Sequence, residues 1–204
     1  MKVFGNNNEN KLIKGIRQDG IFVLIIGAVM GILTLMSLWR IVDYSHRSES
    51  AFEMQTKTTA AGDEYGLLVN GVYEMAVDYN DYLQMSENAK VTAIAETAEY
   101  MVNALLLGTI FLLLHFVIRN FVKQKTPFVK QNIILMRGIA VLTILSAMLP
   151  GISKAMLSLA LLESGTIHFS IMNFWLLMLG VALGVIAEIF RYGYSLQEEM
   201  NQIA

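Results

Sequence analysis

Cysteine is absent from this 204-residue chain, which excludes disulfides, thiolate metal sites and a thiol nucleophile. Charge is scarce as well: Asp, Glu, Lys and Arg make up 16% of the residues, against about a quarter in an ordinary soluble domain. Histidine occurs only as His46, His115 and His168, and none has a partner at H-E-x-x-H spacing. A Walker A loop, a dinucleotide glycine pattern and a G-x-S-x-G nucleophile elbow are also missing. These absences leave no catalytic, cofactor-binding or metal-ligating residue to name, and the chain reads as non-enzymatic.

What is present is apolar. Hydrophobic residues form 55% of the chain and the mean hydropathy is +0.51. The first long run, Gly20–Trp39, has twenty residues and no charge, which at 1.5 Å per residue covers about 30 Å, the thickness of a bilayer core. It is too long for a signal peptide, and Arg40-Ile41-Val42-Asp43 follows it where a small-residue cleavage site would stand. Further spans are expected at 100–118, 134–153 and 170–190. Backbone amides in lipid must pair within their own segment, so each should be a helix. The expected fold is an all-α integral membrane protein with four transmembrane helices.

The basic residues suggest the orientation. Lys2, Lys11, Lys14 and Arg17 precede the first span, and Arg119, Lys123, Lys125, Lys130 and Arg137 follow the second with no acid among them. Residues Ile41–Glu99 instead hold eleven acids against three Lys or Arg. Four spans with both termini in the cytoplasm place both basic segments inside. The cytoplasmic parts are then a loop at 119–133 and a tail at 191–204, and residues 41–99 form an extracytoplasmic cap. Trp39 and Trp175 suit the outer rims, and the bilayer is the first partner.

Within the cap, Asn70-Gly71 between two β-prone runs is a two-residue hairpin signal. Val91, Ile94, Ala98, Met101 and Leu105 recur at helical spacing, predicting a helix that starts after Ser86 and runs into the second span. Ser50–Ala61 is expected to extend the first span, with Gly62 as its stop. In the third span Pro150-Gly151 is expected to kink the helix near its outer end. Lys154 then snorkels to the headgroups, Ala155–Glu163 forms an outer extension, and Gly165 ends it.

Two glycine pairs, Gly27/Gly31 and Gly180/Gly184, flatten helix faces for close packing, with each other or in a homo-oligomer. His115, Glu188 and Arg191 are the intramembrane polar groups. The simpler reading of His115 is a neutral imidazole hydrogen-bonded to a neighbouring helix. Glu188 and Arg191, three apart, can pair on one helix face.

Two stretches, TPFVKQNIILMRGIAVL at Thr126–Leu142 and EIFRYGYSLQEEMNQIA at Glu188–Ala204, resemble a family of bacterial four-span membrane proteins, domain-of-unknown-function family 2975. The matching positions are Pro127, Phe128, Asn132, Arg137, Phe190, Gly193, Leu196 and Glu199. The resemblance implies a protein of the bacterial cytoplasmic (inner) membrane that acts on a cytoplasmic helix-turn-helix transcription regulator, without itself contacting nucleic acid. The candidate partner-binding residues are Lys123, Lys125, Lys130, Arg137, Leu196, Glu198 and Glu199. In the expected tail, Gly193 loosens the helix end and Leu196 packs back on it. The residues alone favour the simpler reading, in which the basic groups only obey topology and meet anionic lipid. The rival reading is a small transporter or permease component, which calls for a polar mid-membrane lining; the spans offer His115, Asn103 and hydroxyl residues.

Overall fold

The computed structural model describes residues 3–59, 62–77, 79, 82–83, 88–162 and 171–203. Its helices are α1 (Val3–His46), α2 (Ala89–Gln124), α3 (Lys130–Ser146), α4 (Leu149–Leu162) and α5 (Ile171–Ile203). Its strands are β1 (Phe52–Thr59), β2 (Gly62–Val69) and β3 (Val72–Val77). Within α1, α2 and α5, Ile13–His46, Ala89–Gln124 and Met172–Gln202 are each long and apolar enough to cross a membrane, and α3 with α4 forms a bent pair that adds a fourth span if it crosses as one. The chain is thus mostly helical, with three to four apolar helices of a multi-pass membrane protein. The β2–β3 pair is the hairpin expected at Asn70-Gly71, and β1 adds a third strand that was not expected.

The chain divides into two compact units. One comprises residues 33–103 and 149–169 and contains the sheet, an antiparallel meander in the order β1-β2-β3. Asn70 and Gly71 join β2 to β3 with φ of 52° and 76°, the positive pair that a two-residue hairpin turn requires. The expected helix over Ser50–Ala61 is instead a 3₁₀ turn, Glu49–Ala51, followed by β1. The physical reason lies in FEMQTKTT: Phe52 and Met54 alternate with Glu53 and Gln55, and the threonines suit a pleated surface. Phe52, Leu67, Val69, Met75 and Val77 are buried in a core with Tyr44 and Ala93. Tyr44 meets Phe52 edge-on, ring centroids 5.4 Å apart.

The start of α2 is capped by Asn88, whose Oδ1 accepts the Val91 N–H at 3.1 Å. Lys90 then reaches the end of α1, where Nζ donates to the carbonyls of Ser45 (3.0 Å) and Arg47 (2.7 Å). Carbonyls left unpaired at a helix C-terminus attract such a cation. From there α2 runs without a break to Gln124, as the periodicity predicts.

The second unit comprises residues 1–32, 104–148 and 170–204. Its core gathers Val117, Met136, Ile139 and Ala187, with Leu113, Leu183 and Phe190 packed around them. The expected third span breaks at Ala147–Met148 rather than at Pro150-Gly151. Pro150 sits in the first turn of α4, where its missing N–H leaves no helical bond unmade. The expected extension at Ala155–Glu163 is part of α4 as far as Leu162; Glu163, Gly165 and His168 lie outside the described residues. The last helix also departs from expectation. α5 passes Gly193 without fraying and continues to Ile203.

Candidate functional site

The strongest concentration of specific contacts lies where the α2–α3 connection meets α5. Lys125 leaves α2 with φ of 56°, reversing the chain. Thr126 Oγ1 accepts the Phe128 N–H at 3.2 Å, and the same hydroxyl donates to Gln197 Oε1 on α5 at 3.4 Å. Asn132, fully buried, locks the turn from within. Its Nδ2 donates to the Pro127 carbonyl at 3.1 Å, and its Oδ1 accepts from Asn120 Nδ2 at 3.0 Å. A buried amide with both ends satisfied specifies one loop conformation.

That conformation aims Phe128 at α5. Its ring meets Phe190 edge-on, with centroids 5.8 Å apart. It fills the space above Gly193, where an added Cβ would lie 2.6–2.9 Å from three ring atoms. Glycine at 193 is required by this close approach and not by a helix end.

One turn further along, Arg137 on α3 and Arg191 on α5 share Glu188. Arg137 donates to Oε1 from Nε (3.1 Å) and Nη2 (2.5 Å), while Arg191 Nε donates to Oε2 at 2.6 Å. The Glu188–Arg191 spacing is the three-residue helical step expected from sequence; the third member, Arg137, comes from another helix. The three side chains are half to two-thirds exposed.

The remaining sequence-selected residues fall around this centre. Lys123, Lys125 and Lys130 are exposed, as are Glu198 and Glu199. Leu196 lines an apolar groove of about 450 Å³ with Phe128, Ile189, Tyr192 and Met200. Glu198 borders a separate recess with Tyr194 and Val129. Elsewhere in the same unit, His115 Nδ1 donates to the Gly20 carbonyl at 2.8 Å, which fixes the tautomer. Gly27 faces Leu112 and the Gly108 carbonyl of α2, and space is open beside Gly31. Gly180 presses on Ala140 and Ile144 of α3, and Gly184 has only the Ala140 methyl at 4.0 Å. The two glycine pairs therefore serve different helix neighbours.

A polar cluster that sequence reasoning missed occupies the unit with the sheet. Lys154 Nζ on α4 lies 2.6 Å from Glu96 Oε1 and 3.4 Å from Glu99 Oε2 on α2. Its side chain is 12% exposed and that of Glu96 7%, so Lys154 is buried in an ion pair and does not snorkel. Thr92 and Thr97 on α2 and Ser158 on α4 are also buried. The signal was available: Lys154 is the sole charge between Gly138 and Leu162, and two carboxylates stand three apart on α2. Among the described residues no group of three His, Cys, Asp or Glu is placed to hold a metal ion.

No family model, curated protein or solved structure matches this chain.

Proposed function

We propose that this is a non-catalytic, multi-pass protein of a bacterial cytoplasmic membrane, which relays the state of an extracytoplasmic cap to a soluble regulator on the inner side. The observation that carries the reading is the continuation of α5 beyond its apolar stretch. Ile189, Tyr192, Leu196 and Met200 follow each other at helical steps of three and four, all exposed, beside Phe128. Such a row is the groove-and-stripe surface that binds an amphipathic partner helix. Lys123 at the end of α2, Lys125 in the connection and Lys130 at the start of α3 add basic charge beside it, and the excess of Lys and Arg there favours the inner side. The sequence resemblance points to a helix-turn-helix regulator as the partner. Any relay needs two helix arrangements of similar energy, biased differently by cap and partner.

The test is a photo-crosslinking amino acid at position 196 or 200 in living cells. The reading expects an adduct to one soluble DNA-binding protein, lost when Leu196→Asp is added. Adducts to lipid alone, or adducts insensitive to Leu196→Asp, would reject it.

A second reading, a transporter component, is favoured by the buried Glu96–Lys154–Glu99 cluster, because ionisable groups inside membrane helices often line a path for ions or substrate. Ion or solute flux through purified protein in liposomes that stops with Lys154→Met would establish it.

A further inference from the structure

The α3–α5 pair presents a lateral face whose chemistry changes along its length. On α3, Lys130, Ile134, Arg137 and Val141 are all exposed at steps of four, three and four residues, so they share one side of the helix. On α5, Val181, Val185, Glu188 and Tyr192 repeat the same steps and are likewise exposed. The Arg137–Glu188–Arg191 trio joins the two rows, with aliphatic residues beside it on both helices.

The trio carries a net charge of +1 and is not saturated. Glu188 takes Nε and Nη2 of Arg137 and Nε of Arg191. Nη1 of Arg137 and both terminal nitrogens of Arg191 have no partner among the described residues. Guanidinium forks fixed in place by a shared carboxylate lose less freedom when they chelate a second oxyanion. Planar forks of this kind suit phosphate oxygens.

The position selects the source of that phosphate. Arg137 lies seven residues into α3 from Lys130, about 10 Å along the axis, and exposed Val141, Val181 and Val185 continue the face away from the loop. A water-borne anion has Lys123, Lys125 and Lys130 nearer to hand. A phospholipid instead arrives sideways, with its acyl chains against the valines. We propose that Arg137 and Arg191, splinted by Glu188, bind the phosphate of an anionic phospholipid on the lateral face of α3 and α5. Basic pockets between membrane helices are recognised sites for such headgroups. Tyr192 borders both this face and the apolar groove, but neither Arg137 nor Arg191 lines the groove, and neither proposal depends on the other.

The test is native mass spectrometry of the full chain, released from nanodiscs containing phosphatidylglycerol or phosphatidylcholine. The intact protein should retain phosphatidylglycerol in preference. Arg191→Gln leaves the Arg137–Glu188 bridge in place and should lower that retention about tenfold, as loss of a charge-assisted contact does, with phosphatidylcholine unaffected. Arg191→Lys keeps the charge without the fork and should fall between. Equal retention of both lipids overturns the proposal. So does an Arg191→Gln protein of unchanged melting temperature that keeps its phosphatidylglycerol, or displacement of the lipid by millimolar inorganic phosphate. If Arg191→Gln does not fold, Arg191→Lys decides, with undiminished retention counting against the site.

Discussion

Phe128 rests on Gly193, with its ring in the space that any larger residue at 193 would occupy. The contact joins a loop to a helix 65 residues later, and it fixes where the apolar groove begins.

Enlarging residue 193 should therefore dislodge the loop while sparing α5 itself. Gly193→Ala raises intrinsic helix propensity by about 1 kcal/mol but pushes Phe128 off its seat. The expected outcome is unchanged helix content by circular dichroism with faster proteolysis near Thr126. A combined Gly193→Ala, Phe128→Ala protein should recover part of the loss, since the clash is then gone. Proteolysis identical to the parent in the single variant would contradict the seating.

The two glycines of the α5 pair should behave differently. A Cβ at 180 would stand 3.1 Å from the Ala140 carbonyl oxygen and 2.5 Å from Ile144 Cγ1, whereas one at 184 would make ordinary contact at 4.0 Å. Gly180→Ala should lower the melting temperature of the detergent-solubilised protein, consistent with an overpacking cost of about 1–3 kcal/mol. Gly184→Ala should leave it level or raise it slightly. The reverse order would show that α3 and α5 do not approach as described.

Breaking the buried ion pair on one side should cost more than removing both charges. Lys154→Met leaves Glu96 and Glu99 facing each other without their cation, and a loss of about 3–5 kcal/mol is expected. Glu96→Gln should cost less, because Glu99 remains 3.4 Å from Lys154. The double variant Glu96→Leu, Lys154→Met should be more stable than Lys154→Met alone, which thermal unfolding of all three can check.

Alkaline pH should loosen the sheet at one identifiable tyrosine. Burial, then the negative charge of Asp63 and of ionised Tyr79 and Tyr82, raises the Tyr65 hydroxyl above the ordinary tyrosine value. Its ring lies 4.5 Å from that of Tyr82 and 5.4 Å from that of Tyr79. With the folded value above the unfolded one, the contribution is fully present below about pH 10 and is lost as pH climbs through the raised value. The difference in 295 nm absorbance between the parent and Tyr65→Phe should show a transition above that of free tyrosine. A transition at or below it would refute the burial.

The sequence made the lipid-facing elements legible because their cause is local: an uncharged run of bilayer length becomes a helix whatever surrounds it. Asn70-Gly71 was legible for the same reason, since the turn needs only positive φ at two adjacent residues. β1 was harder to read, because its alternation of Phe52 and Met54 with Glu53 and Gln55 spans only four residues and the rest of the strand is held by pairing with β2. Gly193 misled because a glycine near the end of an apolar stretch usually marks a stop, and only Phe128 reveals its packing role. The site divided in the same way. Glu188 and Arg191 pair within one turn and could be read directly, whereas Arg137 and the Glu96–Lys154 contact depend on which helices become neighbours.

Lys154 also bears on how the chain enters the bilayer. Leu149–Leu162 is an apolar helix with one ammonium group, and a lysine at the centre of a lone helix costs about 2.5–3.5 kcal/mol to insert. Its counter-charges, Glu96 and Glu99, are synthesised 58 and 55 residues earlier, so the carboxylates of α2 precede α4 out of the ribosome. If α3 and α4 cross as one span, the order of translation supplies the neutralising partner before the later helix arrives.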